Sequence, residues 1–128
     1  MANVLLLKDV LLISTDAHCV EVFERISKKN GLETDIREDF VQGTEALMNS
    51  DYRAFALDLD ADKTGCLSFV KLLNELRDKP RIVIFSRGMD KQTEMEARSR
   101  GITMFLNKSE GCSEIEKIVK KEEQQEKA

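Results

Sequence analysis

Three aspartates stand on alternate positions, Asp58, Asp60 and Asp62, where the apolar stretch "FALDLDADKTG" runs into a polar segment over residues 55–65. Grouped carboxylates can hold a divalent cation through hard oxygen ligands, and one of them can act as nucleophile toward a phosphoryl group. Other reactive groups close apolar runs elsewhere. Ser14, Thr15 and Asp16 follow "VLLI", Ser86 ends "RIVIFS" and Lys108 ends "ITMFLNK". A carboxylate, a hydroxyl and an ammonium brought together make a phosphoryl site, with a metal ion to neutralise charge on the phosphoryl oxygens. Plainer roles compete with this one. Asp16 suits a helix N-cap as well as a metal ligand, Asp60 and Asp62 suit solvated loop acids, and Lys108 suits a rim lysine whose stem lies along apolar surface.

Bringing these groups together requires the elements that carry them to end at one rim. Short apolar runs alternate with longer amphipathic ones, the pattern of a parallel sheet covered by helices on both faces. The runs predict strands over 10–14, 32–39, 52–59, 81–86 and 102–108. Helices are predicted over 16–31, 40–50, 66–79, 90–101 and 113–128, with a charged tail from about 120. The expected fold is a flavodoxin-like (βα)5 three-layer α/β sandwich with a five-stranded parallel sheet in the order 2-1-3-4-5. In such a sheet ligands bind beyond the carboxyl ends of the strands, where the order reverses. Ser14, Thr15, Asp16, Asp58, Asp60, Ser86 and Lys108 all fall at those ends.

Composition narrows the remaining classes. A chain of 128 residues, 41% hydrophobic and 34% charged, is expected to form one domain, with its core over about 10–120. No apolar run approaches the roughly 18–20 residues of a spanning helix, and "MANVLLLKDVLLIS" lacks a signal-peptide cleavage site, so a cytoplasmic setting is expected and no membrane partner. Net charge is −4 with basic and acidic residues interleaved, which leaves no basic footprint for nucleic acid. Cys19, Cys66 and Cys112 are widely spaced and odd in number, so reduced thiols are expected rather than a disulfide framework or zinc site. His18, the single histidine, excludes a multi-histidine metal centre.

"YRAFALDL", "RIVIFS" and "GITMFLNK" together resemble the receiver domain of response regulators, the CheY-like family, over roughly residues 10–120. The resemblance implies a signalling domain of a two-component phosphorelay rather than an enzyme. Asp58 would be the phosphoacceptor, Ser86 and Lys108 the conserved hydroxyl and lysine, and Phe105 the aromatic switch position. It also implies a histidine kinase or phosphotransfer protein as donor, and a downstream protein on the face of the fourth helix, fifth strand and fifth helix. The departures concern the acid pocket. Ser14 and Thr15 stand where the family has its pair of metal-binding acids, leaving Asp16, Asp58 and Asp60 as candidate ligands, and Mg2+ is expected to bind weakly. Ala61 and Asp62 replace the family's Met-Pro pair, the loop to Gly65 is one residue short, Arg87 replaces a small residue and Ser109 a proline. A degenerate pseudo-receiver that binds partners without phosphorylation is therefore an alternative within the same fold.

Two other resemblances fit the acids less well. A calcium loop of the EF-hand type starting at Asp58 would need glycine and glutamate where Lys63 and Phe69 stand. "FALDLD" also resembles the nucleophile and acid pair of haloacid-dehalogenase-like phosphatases, but Asp62 replaces the usual Thr or Val, and 57 residues precede Asp58.

Overall fold

The computed structural model describes residues 6–108. The helix expected over 113–128, Ser109 and Cys112 lie outside the described residues. Within them the chain alternates strand and helix throughout: β1 (Leu6–Ile13), α1 (Ala17–Asn30), β2 (Thr34–Arg37), α2 (Phe40–Leu47), β3 (Ser50–Asp58), α3 (Lys63–Leu76), β4 (Ile82–Ser86), α4 (Lys91–Ser99) and β5 (Met104–Asn107). All strand pairs are parallel, and the sheet order is β2-β1-β3-β4-β5. The expected flavodoxin-like α/β architecture is observed.

Strand alternation sends side chains to two separate cores. Leu11, Ile13, Phe55, Leu57 and Ile84 pack against Phe40, Phe69, Val70 and Leu73 on the face of α2 and α3. Val10, Leu12, Ala54, Ala56, Val83 and Phe85 pack against Cys19 and Phe23 of α1 on the other. Because β1, β3 and β4 are covered on both faces, they read as continuous apolar runs, as buried parallel strands should. β1 extends upstream of the predicted residue 10, since Leu6 and Leu7 stay in register with Ser50 and Asp51 of β3. A short run of ladder bonds outweighs their exposure.

Each described helix starts on an aspartate. Asp16, Asp39, Asp62 and Asp90 accept hydrogen bonds from the free N–H groups of the first turns of α1, α2, α3 and α4. This corrects two expectations. Asp62 is not a loop acid, and α3 begins at Lys63 rather than at residue 66, because the Asp62 carboxylate accepts from Gly65 N at 3.0 Å and nucleates the earlier turn. The three alternate acids therefore part company: Asp58 ends a strand, Asp60 sits in the turn and Asp62 caps a helix. An Asp62→Ala variant should lose about 1 kcal/mol of stability, the usual worth of such a cap. Thermal denaturation measures this, and an unchanged melting temperature would contradict the assignment.

At the opposite end of the sheet Asp35 accepts from Lys8 Nζ at 3.0 Å and from Tyr52 Oη at 2.6 Å. Burial raises the pKa of the Tyr52 hydroxyl, and its hydrogen bond to Asp35 raises it further. This polar network ties β1, β2 and β3 together far from the strand ends that carry the site.

Candidate functional site

The carboxyl ends of β1, β3 and β5 deliver Ser14, Asp58 and Lys108 to one place. The register pairs Ile13 with Leu57, so the next residues, Ser14 and Asp58, stand side by side. Ser14 Oγ donates to Asp58 Oδ2 at 2.7 Å and in turn accepts from Asp16 N at 3.0 Å. Asp58 is 1% exposed, and its second oxygen, Oδ1, accepts from Asp60 N at 3.0 Å.

Lys108 closes the pocket. Its Nζ lies 2.8 Å from Asp58 Oδ1, 2.9 Å from Asp58 Oδ2, 3.0 Å from Asp60 Oδ2 and 3.3 Å from Asp16 Oδ2. The Phe85 ring centroid is 5.7 Å from the same nitrogen. The Lys108 side chain is only 8% exposed, so it is not the rim lysine with a free head that one plain reading allowed. Burial by itself would lower the pKa of its ammonium. Hydrogen bonds and charge from Asp58 and Asp60 outweigh that, and the pKa is raised. Burial likewise pushes the Asp16 carboxyl upward, but the Cys19 N–H and the Lys108 ammonium overcome it and lower the pKa.

Of the residues singled out from the sequence, Asp16, Asp58, Asp60 and Lys108 come together in one contact set. They line an open cavity of about 470 Å³ with Thr15, Ala17 and Arg87. Ser86 is buried at the end of β4 and lines the neighbouring 320 Å³ cleft with Phe105, Met89 and Glu94. Asp16 is both helix cap and site residue, since Oδ1 accepts from His18 N and Cys19 N while Oδ2 faces Lys108. Arg87 contributes through its backbone, donating to Asp60 Oδ2 at 2.9 Å. His18 is exposed on the first turn of α1. Cys19 and Cys66 are buried and in no disulfide, and burial pushes the Cys66 thiol up to about 12, which removes it as a nucleophile at neutral pH.

Two contacts escaped the sequence reading. Ser14 is a hydroxyl donor to Asp58, which its place after the first strand allows but does not dictate. Arg98 of α4 lies over the Phe105 ring, 4.8 Å from its centroid, and pairs with Glu94 at 3.1 Å. The Glu94–Arg98 spacing of four is visible in the sequence; the stacking across elements is not.

A divalent ion fits this donor set poorly. Magnesium requires oxygens at about 2.0–2.1 Å in near-octahedral geometry, whereas the carboxylate oxygens here are spaced for hydrogen bonds to an ammonium. Among the described residues no group of three or more His, Cys, Asp or Glu is arranged to hold a metal ion.

Comparison with known structures decides the fold. A CheY-like receiver domain from Methanospirillum hungatei superposes with a TM-score of 0.80 at 18% identity, covering 94% of this chain and 98% of its own. This is the receiver-domain fold. A Burkholderia pseudomallei response regulator, solved with a phosphorylated aspartic acid, calcium ion and citrate, gives a TM-score of 0.73 at 18% identity. It covers 94% of this chain and 75% of its own. An orphan response regulator from H. pylori gives 0.77 at 19% identity, covering 90% of this chain and 95% of its own. No family model matches the sequence, and no curated protein matches it. The likeness to these structures is one of fold. No described helix is long and apolar enough to cross a membrane.

Proposed function

We propose that this receiver-like chain is a signalling domain of the two-component type, whose output is a change in protein contacts and whose phosphoacceptor is Asp58. The single observation that carries this reading is the contact of Asp58, the last residue of β3, with Lys108, just beyond β5, at 2.8–2.9 Å on the receiver fold. Toward an acyl phosphate, an Asp58 oxygen would attack phosphorus while the bond to the acyl oxygen breaks. The acyl group would leave as a carboxylate, and the phosphoryl group would remain on Asp58 as a mixed anhydride. The added charge and acceptor oxygens would compete for Lys108 and draw on Ser86, with Phe105 as the responding aromatic.

A histidine kinase or phosphotransfer protein is the proposed donor. The proposed partner surface is the α4–β5 face; the helix expected over 113–128 lies outside the described residues. Asp16, Asp58 and Asp60 are proposed as at most weak ligands of Mg2+. A second reading, a pseudo-receiver that acts without phosphorylation, is favoured by one observation: both Asp58 oxygens already accept two hydrogen bonds or ion-pair contacts, from Ser14, Asp60 N and Lys108.

Amide NMR spectra separate the readings. Under the first, a small acyl phosphate shifts resonances around Ser86 and Phe105 in the wild-type chain and leaves Asp58→Asn unchanged. Identical spectra with and without the donor would favour the pseudo-receiver.

A further inference from the structure

The four carboxylate oxygens that face Lys108 Nζ are not gathered by the lysine alone. Asp58 is held by Ser14 Oγ and Asp60 N, Asp60 by Arg87 N, and Asp16 by the first turn of α1. These donors come from the residue after β1, the β3–α3 turn, the segment after β4 and α1, so the scaffold aims the acids at one point whether or not a cation stands there. We propose that the Lys108 ammonium is the resident cation of this pocket, standing in for a divalent ion and keeping divalent ions out.

The physical basis is charge and space. A divalent ion drawn to the same oxygens would lie within a few ångströms of the ammonium, and like charges at that distance in a partly dry pocket repel strongly. Ser14 and Thr15 add no negative charge to offset the repulsion. Three carboxylates against one ammonium leave a local excess of negative charge, so removing the ammonium exposes a cation site rather than a neutral cavity. Magnesium keeps several of its waters, and these can span oxygens that are spaced more widely than direct ligation requires. The exclusion concerns the same pocket as the receiver-like reading, yet it is read by cation binding rather than by phosphate incorporation. Either can fail without the other.

The test titrates MgCl2 and MnCl2 calorimetrically into the wild-type chain, Lys108→Met and the double variant Lys108→Met/Asp58→Asn. The wild type should not saturate in the millimolar range. Lys108→Met should bind about tenfold more tightly or better, the equivalent of about 1.4 kcal/mol, and its melting temperature should rise with metal. The double variant should lose the gain. If Lys108→Met is unfolded without metal, recovery of its circular dichroism on adding metal reads the same gain. In the wild type, the side-chain ammonium resonance of Lys108 should persist without broadening through the MnCl2 titration. Saturable wild-type binding that broadens that resonance, or a folded Lys108→Met that binds no better than wild type, would overturn the proposal.

Discussion

Lys108→Ala is expected to destabilise the fold by about 3–5 kcal/mol, the range for removing one partner of a buried ion pair. The loss arises because Asp58, 1% exposed, would be left buried without its counterion, beside the carboxyl groups of Asp16 and Asp60 that the same ammonium faces. A rim lysine supplying little core area could be replaced at almost no cost to the fold; burial of the Lys108 side chain among three acids raises that cost. The pH dependence carries the signature. Lys108 has a raised pKa in the folded chain, so its contribution is complete below the unfolded value of about 10.4 and disappears as pH rises through the folded value. Asp16 is shifted the other way. Its contribution is present above about 3.9 and is lost as pH falls through its lowered folded value. Wild-type stability should therefore be flat through neutral pH and fall at both extremes. In Lys108→Ala the alkaline fall attributable to this site should vanish. Urea denaturation across pH measures both, and a neutral-pH loss under 1 kcal/mol would contradict the buried-pair assignment.

Phe85→Ala should cost a similar amount, about 3–5 kcal/mol, by a different route. Phe85 is 1% exposed in the core shared with Phe23 and Val10, and its backbone pairs with Asp58 and Leu106. Truncation leaves a cavity on the α1 side of the sheet and removes the ring beside Lys108. Phe85→Leu, which keeps most of the volume, should cost much less, under about 1.5 kcal/mol. Equal losses for the two variants would show that the cavity is not the cause.

The fold was legible because its central strands are buried on both faces and written as unbroken apolar runs. β3 and β4 were located within two residues of their observed bounds, and Asp58 and Ser86 were placed at strand ends by counting alone. Asp62 was misread because an acid three residues ahead of Gly65 looks the same in a loop and at an N-cap; which it is depends on where the chain turns. The Lys108 cluster was less legible still. A contact spanning 50 residues, with oxygens from three separate segments, is set by register between strands and by the turn after β3, and neither leaves a local pattern. For the same reason Ser14 read as a missing acid, whereas in the fold it is a donor to Asp58. Arg98 over Phe105 likewise depends on how α4 lies against β5.

The most direct test of a pocket occupied by its own lysine is the time course of phosphoryl incorporation from a small acyl phosphate, followed by intact mass, with and without magnesium. Asp58→Asn is the control. Slow addition of a single phosphoryl group, absent from Asp58→Asn and little changed by magnesium, is the predicted result. Rapid labelling that requires magnesium would contradict it, as would repeated release of phosphate from a small phosphomonoester.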